Sequence, residues 1–227
     1  MMLHFELQTD STPRAIEVDI KQFVIAGWAG RDRHAIEHHI EELAAIGVPR
    51  PSQVPLFYRV DSHQLTQESK IQVVGGGSSG EVETFVFMHE GELCVSITSD
   101  HTDRKLETVS VALSKQVCAK PVGRVAWRYA DVADYWDELE IHSSILENGK
   151  PVDYQKGKVA SLQHPLDLIA AYQDGNRLPV DCAMSCGTVA TIGQIRPSTA
   201  FEMSLHDHRR QRVIRHRYDV EFLPEVA

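Results

Sequence analysis

Two carboxylates one residue apart open an apolar segment in the middle of the chain. The stretch from Gly80 to Phe87 reads GEVETFVF. In a β-strand, residues two apart share a face, so Glu81 and Glu83 would point the same way, as would Phe85 and Phe87 beyond them. Two like charges at one strand end require compensation, which water, a basic side chain or a cation can supply.

The residues that follow predict a hairpin that adds a third carboxylate. A turn centred on Glu90 and Gly91 would bring Asp100 opposite Glu81 and diagonal to Glu83. Directly opposed Cβ atoms are about 4.5–5.5 Å apart, so the three acids would converge. Hard carboxylate ligands without cysteine favour Mg²⁺ or Mn²⁺ over zinc. The alternative is a solvated hairpin end whose acids face water.

A helical segment, EHHIEE, contains a second candidate group. His39 and Glu42 are three residues apart and share a helix face, so the carboxylate could orient the imidazole and the pair could handle a water molecule. His38 and Glu41 repeat the spacing on a neighbouring face. The alternative is a charged surface helix.

Lys115 ends the segment VSVALSK, which we predict to be an apolar-rich strand. Its side chain is either a surface lysine with a buried stem or a positive group over an anionic substrate. The segment GGGSSG resembles a phosphate loop, but it precedes a strand instead of opening a helix. The sequence therefore does not predict a nucleotide site.

Composition sets the class of protein. The 227 residues can form one good core, and the net charge of -9 argues against a nucleic-acid partner. No apolar run approaches the ~20 residues of a membrane span, and the start MMLHFELQTD lacks the pattern of a secretory signal. We therefore predict a cytoplasmic protein without membrane contact. The four cysteines are scattered, so we expect packed thiols: Cys94, Cys118, Cys182 and Cys186.

The candidate residues lie within many short strands and few helices. Three strands precede a helix that Asp32 caps and Gly47 ends, and a proline-marked extended connection follows. We predict a helix over 130–138, a hairpin turn at Asn148-Gly149 and several strands towards the end of the chain. Because no regular βαβ alternation is present, the pattern indicates an α+β or mainly-β domain.

In their order, these motifs resemble the fumarylacetoacetate hydrolase superfamily, and most closely an uncharacterised bacterial branch of it. The similarity runs from about Ile25 to Tyr218. The resemblance implies a β-rich roll with a few peripheral helices, an α+β fold that forms a single domain over 1–227, with a strand segment 1–24 packed on it. It also implies a homodimer. The matching stretches are GRDRHAIEHHIEE, VPLFYR, GEVETF, SDHTDR, SKQVCAKPVG and SCGTVATIG.

The resemblance implies roles for nine residues by position. The implied Mg²⁺ or Mn²⁺ ligands are Glu81, Glu83 and Asp100. The implied catalytic residues are His39, Glu42 and Lys115. The implied substrate-binding residues are Arg59, Gly187 and Thr188.

The chain also departs from the superfamily pattern. The Asn-Tyr before the helix is missing, Arg59 stands where a lysine is usual, and Val189 replaces a proline. The hairpin between Glu83 and Asp100 is shorter than expected. These changes leave the implied metal ligands intact. They affect the expected substrate shape and the lid, which in the superfamily is the segment with the His39–Glu42 pair that orders over bound substrate.

The predicted function is that of a metal-dependent hydrolase that cleaves a C–C bond in an acylpyruvate-like or 1,3-diketo acid. A decarboxylase, isomerase or hydratase of a 2-oxo dioic acid is the first alternative, because it uses the same enolate. A non-catalytic binding protein with this fold is the second. A zinc site at the histidines of 38–39 and 206–208 ranks last, because a third soft ligand is missing.

Overall fold

The computed structural model describes residues 1–9, 12–45, 47–173 and 177–226. The strands are β1 (Met2–Gln8), β2 (Arg14–Asp19), β3 (Gln22–Gly27), β4 (Leu56–Val60), β5 (Leu65–Thr66), β6 (Lys70–Val74), β7 (Ser78–Ser79), β8 (Val82–His89), β9 (Glu92–Ser99), β10 (Thr102–Asp103), β11 (Lys120–Pro121), β12 (Val125–Arg128), β13 (Glu140–Glu147), β14 (Lys150–Lys158), β15 (Cys182–Thr188), β16 (Ala200–Asp207) and β17 (Arg212–Leu223). The α-helices are α1 (Arg33–Ala45), α2 (Arg104–Glu107), α3 (Val111–Gln116) and α4 (Pro165–Tyr172). Short 3-10 segments cover Ser62–Gln64, Tyr129–Asp131, Ala133–Glu138 and Val159–Ser161.

Two sheets form the body of the molecule. The larger has eight strands in the order β2-β1-β12-β9-β8-β15-β3-β4, and the smaller has five in the order β14-β13-β16-β17-β6. Two further strand pairs, β10-β7 and β11-β5, lie beside them. This arrangement, with few helices, confirms the predicted β-rich α+β fold.

Apolar side chains pack on both faces of the eight-stranded sheet. One cluster joins it to the five-stranded sheet and includes the fully buried Trp127 and Tyr154. The other lies on the inner face of the curled sheet, where the ring of Phe5 stacks on Phe87 with centroids 4.5 Å apart. Burial of such rings contributes about 1.5–3 kcal/mol per side chain.

The hairpin of β8 and β9 has the predicted register. Glu83 lies opposite Thr98, and the amide of Asp100 donates to the carbonyl of Glu81 at 2.9 Å. Gly91 in the turn has a positive φ of 86°. The three acids therefore reach one side of the hairpin, as the sequence predicts.

Helix α1 also begins and ends as predicted. The carboxylate of Asp32 accepts hydrogen bonds from the amides of His34 and Ala35, and Gly47 follows the helix with a φ of +96°. The second hairpin turns at Asn148 and Gly149, which both have positive φ. All four cysteines are free and buried, in agreement with the expected packed thiols.

Two local predictions are wrong. The segment VSVALSK is helix α3 instead of a strand, because the hydroxyl of Ser110 accepts a hydrogen bond from the amide of Leu113 and caps the helix. The predicted helix over 130–138 is two 3-10 segments, and Tyr135 has non-helical φ and ψ of -137° and 27°. Among the residues that the structure describes, no helix is long and apolar enough to cross a membrane.

Candidate metal centre

The carboxylates of Glu81, Glu83 and Asp100 form one cluster at the open end of the β8–β9 hairpin. Each offers an oxygen atom, and these atoms lie within 4.8 Å of one another. Glu83 and Asp100 are buried, whereas Glu81 is partly exposed. Within the described ranges, no other three histidine, cysteine or acidic side chains converge in this way. The histidines at 38–39 and 206–208 therefore do not form the zinc site considered above.

Gly80 directly precedes Glu81, the first carboxylate of the cluster, at a position where a side chain does not fit. A Cβ atom at this position would lie 2.6 Å from the Tyr218 hydroxyl and 2.8 Å from Ser99 Oγ. The buried Tyr218 hydroxyl makes hydrogen bonds with Ser99 Oγ at 2.8 Å and with His101 Nδ1 at 3.0 Å. These contacts hold both chain neighbours of Asp100, and only glycine leaves room for them.

Asp100 is paired with two buried lysines. The ammonium of Lys115 lies 2.5 Å from Oδ2, and that of Lys120 lies 3.0 Å from Oδ1 and also donates to the carbonyl of His101. Burial opposes ionisation of Asp100, but the two ammonium charges outweigh it and lower the pKa of the carboxyl. Burial lowers the pKa of Lys120, whereas for Lys115 the charges of Asp100 and Glu81 outweigh burial and raise the pKa.

Glu81 has a basic partner of its own. The guanidinium of Arg104 lies 3.2 Å from Glu81, and it also contacts Glu107 at 3.0 Å and donates to Ser79 Oγ at 2.8 Å. Burial opposes the charge of Arg104, but Glu81 and Glu107 outweigh it and raise the pKa of the guanidinium. Helix α2 thus holds this carboxylate in place.

Among the residues that the structure describes, no basic side chain lies at hydrogen-bond distance from Glu83. Its Oε2 accepts a hydrogen bond from the amide of Gly187 at 3.0 Å and another from the hydroxyl of Ser185. Burial, and then the negative charge of Asp100, raise the pKa of Glu83 to about 8. Glu83 is therefore the carboxylate most dependent on an added positive charge for ionisation.

Basic side chains accordingly supply part of the charge compensation that the sequence requires. Two of them, Arg104 and Lys120, were not among the predicted site residues, although both lie in the stretches SDHTDR and SKQVCAKPVG. The signal that could have found them is a basic residue within a few positions of Asp100 or Lys115. The donor set itself is three hard oxygen ligands, which fits Mg²⁺ or Mn²⁺.

Gly187 and Thr188 lie beside Glu83, but their donors are used inside the protein. Gly187 has a φ of +88°, and a Cβ atom there would lie 2.7 Å from Ala29 Cβ, so glycine is required. Its amide is bound to Glu83. The Thr188 hydroxyl donates to the carbonyl of Val82 at 2.7 Å. Both residues shape the site, and neither donor is free in this conformation.

Arg59 lies on the exposed side of β4. Its guanidinium is 3.5 Å from the hydroxyl of Tyr172 on α4, and the residue is exposed. Neighbouring residues of a strand point to opposite faces, so Tyr58 is the β4 residue that faces the site. The Lys115 ammonium lies 5.5 Å from the centre of the Tyr58 ring. Tyr58, which contacts Lys115, is not among the residues predicted from the sequence, whereas its neighbour Arg59 is.

His39 and Glu42 form the predicted pair on α1, at 3.5 Å, but on its solvent side. Their side chains are 55% and 59% exposed. The His39 ring packs on Trp28 with centroids 5.9 Å apart, and the Trp28 indole donates to the Tyr58 hydroxyl at 3.4 Å. Aromatic side chains thus separate the pair from Lys115.

The family follows from comparison of the whole chain with known proteins. The chain belongs to the family DUF2848, described as a protein of unknown function, whose model matches residues 26–218. This agrees with the predicted branch of unknown function. A comparison with curated proteins finds no match.

Solved structures with similar folds include a dehydratase, a decarboxylase and Cg1458. A 2-keto-3-deoxy-D-arabinonate dehydratase is 14% identical with a TM-score of 0.69, covering 96% of this chain and 79% of its own. Cg1458 with an inhibitor is 15% identical with a TM-score of 0.68, covering 94% and 86%. A 4-oxalocrotonate decarboxylase from Pseudomonas putida G7, complexed with magnesium and adipate, is 14% identical with a TM-score of 0.53, covering 90% and 78%. These neighbours show that the chain has the predicted fumarylacetoacetase-like, β-rich fold.

Proposed function

We propose that this protein is a Mg²⁺- or Mn²⁺-dependent enzyme that acts on a small 2-oxo acid, as a lyase or an isomerase. The observation that carries the proposal is the convergence of Glu81, Glu83 and Asp100 within 4.8 Å, with the buried Lys115 beside Asp100. The dehydratase and the decarboxylase with this fold, both solved with magnesium, support it.

The three carboxylates would hold the cation, and the remaining residues would bind and orient substrate. When bound, a divalent cation supplies Lewis-acid stabilisation of the enolate charge that a 2-oxo acid develops. Lys115 would offset negative charge on a substrate oxygen, since its ammonium lies at the edge of the cluster. Tyr58 would form the wall of the site beneath this ammonium.

The lyase or isomerase alternative is preferred over hydrolysis because of where α1 places its histidine. Hydrolysis needs a base within hydrogen-bond reach of the attacking water, directly or through one water. His39 and Glu42 are more than half exposed, and the ring of Trp28 lies against His39. A reaction that requires only an enolate and a proton donor does not need His39 and Glu42 to reach an attacking water.

Hydrolysis of an acylpyruvate-like or 1,3-diketo acid is the second candidate. The observation that favours it is the formed contact between His39 Nδ1 and Glu42, at 3.5 Å, in the geometry of an oriented imidazole. Closure of α1 over bound substrate would bring the pair to the site. Incorporation of labelled solvent oxygen into the product would distinguish hydrolysis from decarboxylation or isomerisation.

Calorimetric titration of Mg²⁺ and Mn²⁺, with and without oxalate, tests the proposal. Oxalate imitates the paired oxygens of the enolate. We expect metal-dependent oxalate binding in the wild type and at least a tenfold weaker metal affinity in Glu83→Gln. Gln keeps an acceptor for Ser185 and Gly187, so the fold should persist. The matched control is Glu92→Gln, an exposed position on the same hairpin.

Absence of metal binding in the wild type would contradict the proposal. It would favour a binding protein that has the fold without the chemistry, in which the pairs of Asp100 with Lys115 and Lys120 hold the cluster without a cation. Equal metal affinities of Glu83→Gln and the wild type would place the cation elsewhere.

A further inference from the structure

Gln155 on β14 is fully buried and uses all its hydrogen-bonding groups. Its Nε2 donates to Thr188 Oγ1 at 2.7 Å and to the carbonyl of Val189 at 2.8 Å. Its Oε1 accepts from the amide of Val82 at 3.0 Å and from Ser143 Oγ at 2.9 Å. A carboxamide has two donor hydrogens and two acceptor lone pairs, so this side chain is saturated.

Ser143 lies on the neighbouring strand β13, whereas the other three partners belong to two separate parts of the candidate site. Val82 lies between the ligands Glu81 and Glu83, while Thr188 follows Gly187, whose amide holds Glu83. The pairing of β15 with β8 shifts register just before Thr188, so the backbone ladder does not fix this segment alone. One side chain from the five-stranded sheet therefore ties the carboxylate strand to the end of β15.

The backbone of β14 also contacts the loop that follows β15. Gln155 forms an isolated bridge with Thr191, and the amide of Ile192 donates to the carbonyl of Tyr154 at 2.7 Å. The start of the loop after β15 is thus anchored to the second sheet at Tyr154 and Gln155. Further along, Arg196 and Ser198 of the same loop contact Glu147 and Leu146 of β13.

We propose that Gln155 is a positioning residue that couples the carboxylate cluster to the end of β15, at Gly187 and Thr188, and to the start of the loop that follows. The inference rests on the proposed function, because it concerns how that site binds a cation and an anion together. Because one side chain binds both Val82 and Thr188, a cation that restricts the carboxylate strand also restricts the end of β15, so each ligand strengthens binding of the other.

The chain contains a matched control in Gln67. This glutamine is 7% exposed, and its Nε2 donates to the carbonyls of His4 at 2.8 Å and Gly123 at 3.1 Å. Its Oε1 accepts from the amide of His4 at 2.8 Å. It is a buried amide with three such hydrogen bonds against four for Gln155, and its partners lie outside the candidate site.

The test compares wild type, Gln155→Met and Gln67→Met. Oxalate affinity is measured by calorimetry with and without Mn²⁺, and the ratio of the two affinities is the coupling factor. We expect this factor to fall at least tenfold in Gln155→Met and to stay within twofold in Gln67→Met. An unchanged factor in Gln155→Met, or an equal fall in both variants, would overturn the inference. If Gln155→Met does not fold, Gln155→Asn serves, since its amide is one methylene short of Thr188.

Hydrogen exchange of the metal-free proteins separates this inference from the proposed function. We expect amides of residues 186–192 to exchange at least tenfold faster in Gln155→Met than in Gln67→Met. Unchanged exchange there would overturn the positioning role, whatever the protein binds. No coupling in the wild type, together with faster exchange in Gln155→Met, would overturn the proposed function and the cooperative role while leaving the loop anchor established.

Discussion

The negative charge of Asp100 is balanced by two neighbouring lysines. Both of its oxygens face ammonium groups, from Lys115 and Lys120, in a setting where ion pairs are strongly desolvated. Removal of one partner from such a pair costs about 3–5 kcal/mol, so the cluster is held tightly before any ligand arrives. Glu83 has no basic partner at hydrogen-bond distance within the described part of the chain, and it is the position where an added cation changes the charge most.

The adjacent residues Tyr58 and Arg59 provide a test at this level. The Lys115 ammonium lies 5.5 Å from the Tyr58 ring centre, a distance at which desolvated cation–π contacts contribute about 2 kcal/mol. We expect Tyr58→Leu to weaken oxalate binding in the presence of Mn²⁺ about tenfold, and Arg59→Met to leave it within twofold. If calorimetry showed that Arg59→Met weakens oxalate binding more than Tyr58→Leu does, the arginine, and not the tyrosine, would serve the site.

Secondary-structure elements set which of these side chains meet. Because α3 is a helix, Ser114 and Lys115 are both buried while Leu113 is exposed, an arrangement that strand alternation would not produce. In the second sheet, β13 and β16 bring the rings of His142 and His206 to a centroid distance of 4.4 Å. This histidine contact is an electrostatic feature of the sheet and lies outside the candidate site.

The pH dependence of folding stability tests that histidine contact. Burial, and then the neighbouring His142, lower the pKa of His206 from 6.5 to about 4. A lowered pKa means that the unfolded chain takes up the proton first, so this stability is complete above about pH 6.5 and is lost as pH falls towards 4. The ionisable side chains that face His206 are those of Glu140, His142, His208 and Arg215.

We expect the urea midpoint of the wild type to fall between pH 7 and pH 5 by more than that of His206→Gln. The exposed His34→Gln is the control and should follow the wild type. Identical pH profiles of the wild type and His206→Gln would show that His206 makes no contribution to the pH dependence.

Across the whole molecule, the first strands are part of the larger sheet. β1 pairs in parallel with β12 and antiparallel with β2, and its Phe5 belongs to the inner cluster of the curled sheet. We therefore expect residues 1–24 to unfold together with the rest of the chain, as a single domain requires.

Phe5→Ala tests this cooperativity. Loss of a buried phenylalanine costs about 3–5 kcal/mol, and the stacked ring of Phe87 would lose its partner. Circular dichroism and the fluorescence of the buried Trp127 should shift to the same lower urea midpoint. Phe222→Ala, at a 40% exposed position, should cost under about 1 kcal/mol. An early partial transition that leaves Trp127 fluorescence unchanged would show a separate N-terminal unit.

The sequence by itself determined the features that depend on near neighbours. The turn at Glu90-Gly91 fixes the hairpin register and so the three carboxylates, and the carboxylate of Asp32 fixes the start of α1. Such local hydrogen bonds and alternation are readable because the interacting residues are close in the chain.

Only the tertiary structure decided the surroundings of these acids. Lys120 meets Asp100 across 20 positions, and Gln155 meets Val82 across 73, through packing of separate elements that no local pattern specifies. The exposure of His39 and of Arg59 is likewise a consequence of how α1 and β4 pack. Burial and long-range contact then determine charge, because removal of water decides which ionised groups need a partner.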